Sequence, residues 1–292
     1  MTPTDRFVTA NRLRHHLLDW GGGRSVVLLL HGFLEHAHAW DFVAPRLAAA
    51  GHRVLALDWR GHGDSEWIGA GGYYHFADYT ADLAFLVRAL GGRVALVGHS
   101  MGASAALVYA GTEPERVAAL VAVDALGPPD AGPETAPARF AAWLAGLERV
   151  GRGARVAFAG DDPAARLRER FPRFSADVAA HMARHGTREH DGRRAWKFDP
   201  LHRTTTPQPY SRAQAAAFWR RIACPVLYVE GAESALRLDA SDVADRLRVL
   251  RARRVTLPGS GHHPHLEVPD ALAGVLVEFL AAGRWTNGRR SS

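Results

Sequence analysis

Cysteine occurs once in the 292 residues, at Cys224, so no internal disulfide framework is available and a reducing compartment is the default expectation. Lysine is as scarce: Lys197 is the only one, and every other basic side chain is arginine. The opening stretch MTPTDRFVTANRLRHH has no apolar segment of the secretory type, which makes the expected location cytoplasmic. Long uncharged runs are missing too, apart from Val94 to Gly111, a stretch free of Asp, Glu, Lys and Arg that is long enough to suggest a membrane span. His99, Ser100 and Ser104 interrupt it, and a strand, a turn and a helix explain it better, so no membrane partner is expected. The net charge of +6 is concentrated between Ala125 and Ile222, where 17 Lys and Arg face 10 Asp and Glu. Those arginines alternate with acids and no nucleic-acid-reading motif accompanies them, so a solvated basic face is expected and nucleic acid is not.

What is present is apolar and periodic. Hydrophobic residues make up 47% and charged residues 23%, a globular composition. Short apolar runs recur at Val26–Gly32, Arg53–Trp59, Val94–Gly98, Ala119–Ala125, Pro225–Gly231 and Arg254–Gly259, with helical patterns such as Phe76–Leu90 between them. Strands that are apolar on both faces and separated by helices predict an α/β fold with a mostly parallel sheet. His16–Trp20 is expected to add an edge strand. The alternation lapses after Gly127. Phe140, Trp143, Leu144 and Leu147 fall on one helical face, Asp161 or Asp162 with Pro163 can start a second helix, and Ser175 a third that Gly186 ends. The stretch from Asp191 to Ser211 reads as an extended loop. The organisation expected is therefore a core of residues 1–126 and 214–285, an inserted helical lid at 127–213, and a polar tail at 286–292.

Chemistry concentrates in LVGHSMGAS, Leu96 to Ser104. A strand, Gly-x-Ser-x-Gly and a helix rich in small residues form the context in which a tight turn presents a serine hydroxyl above a sheet. Gly98 and Gly102 are the residues that let strand and helix converge. Ser100 is the candidate nucleophile.

Four motifs in order, HGF (His31–Phe33), DWRGHGDS (Asp58–Ser65), GHSMG (Gly98–Gly102) and GSGHHPH (Gly259–His265), make the chain resemble the α/β-hydrolase superfamily over nearly its full length. The resemblance implies an α/β-hydrolase fold with a central sheet flanked by helices, a Ser-acid-His triad and no cofactor. It implies His262 as the base, the N–H groups of Phe33 and Met101 as the oxyanion hole, and structural roles for His31 and for the turn carrying Asp58, Arg60, His62 and Asp64. His263 and His265 are read as neighbours or substrate contacts. A metal held by His262, His263 and His265 is not expected, since no acidic or cysteine ligand accompanies them. His36 and His38 are open between pocket and solvent.

The acid departs from the pattern. A Gly-x-x-Asp turn is implied after Pro225–Gly231, but Ser234 stands in the acid position. Some haloalkane dehalogenases carry the acid one strand earlier, and Asp124 occupies a similar place here, at the end of an apolar strand; Glu233, one residue out of register, is the alternative. The opening LGPP and the later WKFDP of the insertion resemble the serine-hydrolase-like branch. Dehalogenation and epoxide opening through an alkyl-enzyme need an aspartate where this chain has Ser100. The expected function is hydrolysis of a small or medium carboxylic ester, with thioesters, lactones and carbon-carbon bonds open. An inactive ligand receptor of the same fold is the alternative from another class. Phe140, Trp143, Trp196 and His99 are candidate substrate contacts. Nothing in the sequence sets the oligomeric state.

Overall fold

The computed structural model describes residues 1–151, 156–235 and 238–281. The chain opens with an antiparallel pair, β1 (Thr4–Ala10) and β2 (Leu13–Asp19), turned by Asn11 and Arg12 at φ of 48° and 66°. Five more elements alternate: β3 (Ser25–Leu30), α1 (Ala44–Ala49), β4 (His52–Leu57), α2 (Phe76–Leu90) and β5 (Val94–His99). Then come α3 (Met101–Thr112) and β6 (Val117–Val123). After the insertion the chain returns to the core with α7 (Arg212–Trp219), β9 (Val226–Gly231), α8 (Ala240–Leu250), β10 (Arg253–Leu257), α9 (Pro264–Glu267) and α10 (Pro269–Ala281). The insertion itself holds α4 (Ala136–Gly151), α5 (Pro163–Arg170), α6 (Ala176–Gly186) and the strands β7 (Thr187–His190) and β8 (Arg193–Trp196).

Eight strands form one sheet in the order β1-β2-β4-β3-β5-β6-β9-β10, antiparallel at the two junctions of β2 and parallel throughout the rest. The two-residue period of a strand splits its side chains between two cores. Leu28, Leu30 and Leu96 pack with Leu83, Tyr109 and Trp219 of α2, α3 and α7 on one face. Val27, Leu29 and Val97 pack with Leu47 of α1 and with Leu272 and Leu276 of α10 on the other. β3, β5 and β6 lie at the centre, so their carboxyl ends, where parallel sheets place ligands, converge on one rim.

The insertion is not all helix, which corrects the expectation for 127–213. His190 pairs with Arg193 across a two-residue turn, Asp191-Gly192, at φ of 50° and 71°. Asp-Gly with both φ positive is the turn that matches the twist of paired strands, so a hairpin forms where an extended loop was expected. Helices α5 and α6 are capped by the Asp162 and Ser175 side chains, which accept from Ala165 N–H and Val178 N–H. The tail at 286–292 lies outside the described residues.

Candidate active site

Ser100 sits between β5 and α3 at φ 49° and ψ −113°, a backbone state that a non-glycine residue adopts only when its surroundings impose it. The surroundings do so by crowding: a Cβ on Gly98 would strike the Ala103 backbone, and one on Gly102 would strike the carbonyl oxygens of Leu30 and His31. The Ser100 N–H donates to the Val123 carbonyl at 3.1 Å, tying the turn to the end of β6. One residue further along β6 comes Asp124, itself at φ 47°, whose N–H donates to the Val229 carbonyl at 2.7 Å.

The three side chains form a hydrogen-bonded line. Ser100 Oγ lies 3.2 Å from His262 Nε2, and His262 Nδ1 lies 2.6 Å from Asp124 Oδ2. An ionised carboxylate only accepts, so Nδ1 carries the proton and Nε2 presents its lone pair to the serine. Asp124 also accepts the Gly231 N–H at 3.1 Å and the Ser234 hydroxyl at 2.5 Å. Its side chain is 4% exposed and faces three donors.

The loop carrying His262 is braced from both sides. Glu267 accepts the N–H groups of Gly261 at 2.6 Å and His263 at 3.1 Å, while Arg173 reaches Glu267 and the Gly259 carbonyl. Burial would raise the Glu267 carboxyl, but His263, the Gly261 N–H and Arg173 together hold it down at about 2. Glu233 is engaged elsewhere: its carboxylate is about half exposed and paired with Arg173 at 2.7 Å, on the outside of this brace and not on the His262 ring.

The N–H of Met101 is the first of α3, where no intrahelical acceptor exists. Phe33 follows Gly32, whose N–H is fixed by Glu35 at 2.9 Å, and precedes Leu34, which takes φ 62°. Among the described residues neither Met101 N–H nor Phe33 N–H meets a protein acceptor. The Phe33 ring is 48% exposed. His31 accepts Trp59 N–H at 3.1 Å and is fully buried; Asp58 accepts from Ala37, Asp64 and His16, so this turn is held together internally.

His99 does not stand in a substrate space. Strand alternation turns it beneath the sheet rim, where it is 1% exposed, with Nε2 at 2.7 Å from the His262 carbonyl and Nδ1 at 3.0 Å from Glu35. His99 and His265 hold the buried Glu35 carboxyl well below the usual range, against the burial that opposes it. His263 packs between Phe171 and Phe174, and His265 is fully buried. Phe140 and Trp143 meet in an edge-on pair beside Tyr73 and His75, and Phe140 is 47% exposed. Trp196 stacks on Phe198 and lines, with His36 and Met182, a cavity of about 30 Å³ between insertion and core, room for one water. No hydrogen bond or ring contact among the described residues joins these three aromatics to Ser100 or His262.

Ser234 was noted in the sequence only as a departure from the acid position, with no role assigned, and Glu35 was not singled out. The signal for Ser234 was its place in the Gly-x-x-Asp register; Glu35, four residues after His31, carried none.

A parallel-centred sheet whose strand-helix turn holds a serine against a histidine and a buried aspartate defines the α/β-hydrolase class. The α/β-hydrolase fold pattern matches residues 25–269, and the chain belongs to that family of hydrolases. It is 28% identical over 283 residues to 2-(acetamidomethylene)succinate hydrolase of Mesorhizobium japonicum, with 95% of each chain covered. Epoxide hydrolase A of Mycobacterium tuberculosis is 41% identical over 127 residues, 41% of this chain and 38% of that protein, so the chain matches well under half of that curated relative. The thioesterase domain from the curacin biosynthetic pathway superposes with a TM-score of 0.84 at 28% identity, over 95% of this chain and 100% of that one. No helix among the described residues is long and apolar enough to cross a membrane.

Proposed function

We propose that the protein is a cofactor-free serine hydrolase that cleaves small or medium carboxylic esters through an acyl-enzyme, with a small molecule as its only partner in the reaction. The observation that carries this reading is the line from Ser100 Oγ through both nitrogens of His262 to Asp124. Ser100 Oγ attacks the ester carbon as its proton passes to His262 Nε2, and Asp124 stabilises the resulting imidazolium. The tetrahedral oxyanion is held by the Met101 and Phe33 N–H groups. His262 then protonates the departing alkoxide, leaving an acyl ester on Ser100. Water, deprotonated by the same nitrogen, attacks that ester, and the collapse returns the proton to Ser100 and releases the acid. The exposed Phe33 side chain, on the residue assigned to the oxyanion hole, offers an apolar surface suited to an acyl or alkyl group. Residues 127–213 act as a lid over a core of 1–126 and 214–285, and the single thiol supports a cytoplasmic setting.

Thioesters are the second reading, supported by full-length likeness to a thioesterase domain. Hydrolysis of a panel of p-nitrophenyl esters and acyl thioesters of increasing chain length separates the two. Ester turnover that drops at least about 10³-fold in Ser100→Ala supports the proposal. Equal rates in wild type and Ser100→Ala across the whole panel defeat it.

A further inference from the structure

A second cluster of chemistry-bearing side chains lies away from Ser100, where the insertion meets the core. His38 and Asp41 stand three residues apart in the turn after the HGF loop, on and just after the short helix Ala37–Trp40. His181 and His185 stand four apart on α6, hence on one face. His38 Nδ1 is 2.8 Å from Asp41 Oδ2, and His181 Nε2 is 3.3 Å from the same oxygen. The His185 ring stacks on His38 at 3.7 Å between centroids and 25° between planes. Asp41 Oδ1 is buried without a hydrogen-bond partner among the described residues. One ligand atom from each of the four lies within 4.8 Å of the others.

We propose that His38, Asp41, His181 and His185 form a site for a divalent transition-metal ion of the zinc class, which fastens α6 of the insertion to the core. Three imidazoles and one carboxylate are a borderline donor set that suits zinc, cobalt, nickel or copper and does not suit magnesium or calcium, which take oxygen ligands. A tetrahedral ion with bonds of about 2.0–2.1 Å holds its ligand atoms ~3.3 Å apart, close to the separations already found around Asp41 Oδ2. The side chains of His38, Asp41 and His181 are 17%, 20% and 17% exposed, so an ion can reach the cluster and small rotations can close it. The ion displaces the protons that now join these groups, and it links two segments 143 residues apart. This site is independent of the ester reading, because none of its ligands belongs to the line from Ser100 to Asp124.

A competing trio, His99, His262 and His263, also brings three nitrogens together, beside Ser100. The test must tell the two apart. The full chain is dialysed at neutral pH against zinc, and separately against magnesium, and bound metal and thermal midpoint are measured for wild type, Asp41→Asn, His185→Ala and His262→Ala. The expected result is one zinc ion per chain and a raised midpoint in wild type and His262→Ala, with no magnesium bound. Affinity in Asp41→Asn and His185→Ala should fall by more than about 100-fold, the upper range for losing a mere neighbour of a ligand. Should His185→Ala lose its circular dichroism, Asp41→Asn, which conserves shape, carries the comparison. Wild type that takes up no zinc at micromolar concentration overturns the proposal. So does binding that survives Asp41→Asn, or that disappears in His262→Ala.

Discussion

Ser234 donates its hydroxyl to Asp124 Oδ2 at 2.5 Å, so the residue standing where the superfamily pattern puts the acid hydrogen-bonds the carboxylate that faces His262. The two positions, 110 residues apart in sequence, face one carboxylate site from neighbouring strands, β6 and β9.

That relationship predicts a movable acid. Asp124→Asn should lower turnover of an ester substrate by up to about 10⁴-fold, the loss seen when a triad aspartate becomes an amide. Adding Ser234→Asp to it should recover at least about tenfold, because the new carboxylate can reach the same histidine. Ser234→Ala alone removes one hydrogen bond to a charged group, worth about 1.5–3 kcal/mol, and should lower kcat with little change in KM. A double variant no faster than Asp124→Asn would show that the two positions do not share one role.

Glu35 joins the HGF loop to the floor of the site through Gly32 N–H and His99, whose other nitrogen meets the His262 carbonyl. Its side chain is 10% exposed, and removing it leaves the Gly32 N–H and the buried His99 ring without their acceptor, at a cost of about 1–3 kcal/mol. Glu35→Leu should therefore lower the urea unfolding free energy by about that amount. A loss under about 1 kcal/mol would mean that the buried histidines do not depend on this carboxylate.

Acid should weaken the fold through buried histidines. Burial pushes His36 and His202 down to about 3 in the folded chain, from 6.5 when unfolded. Below 6.5 the unfolded chain binds protons that these rings refuse, so stability is full above 6.5 and is lost as pH falls toward 3. Each ring adds a slope of about 1.4 kcal/mol per pH unit in that window. His16, whose pKa Asp58 and Asp5 raise against its burial, opposes the trend, since its contribution is present at low pH and lost as pH rises. The urea unfolding free energy of His202→Gln should decline less steeply than that of wild type between pH 6 and 5, by ~1 kcal/mol per unit. Parallel slopes would contradict the assignment.

The central strands and the serine turn were legible because their signals are local. Val27 to Leu30 are apolar on both faces, and Gly98 and Gly102 stand where any Cβ would strike backbone as α3 meets the sheet. Asp124 stood out for a different reason: its place is similar to that of the acid in some haloalkane dehalogenases, and a carboxylate ending an apolar strand needs a partner. Strand β1 was not, since Thr4 to Thr9 is mostly exposed and lacks an apolar face. The hairpin of β7 and β8 carried its Asp-Gly signal, but its flanks, Thr-Arg-Glu-His and Arg-Arg-Ala-Trp, show little apolar alternation. His99 was misread because proximity to Ser100 in sequence says nothing of the face on which strand alternation leaves it. The pairing of His38 and Asp41 with His181 and His185 depends on how the insertion docks, which no local pattern encodes.

The most direct measurement is the rate of labelling by a fluorophosphonate in wild type, Ser100→Ala, Asp124→Asn and Glu233→Gln. The account predicts fast labelling in wild type and in Glu233→Gln, none in Ser100→Ala, and a collapse in Asp124→Asn. Labelling of wild type no faster than Asp124→Asn, or a collapse in Glu233→Gln instead, would contradict it.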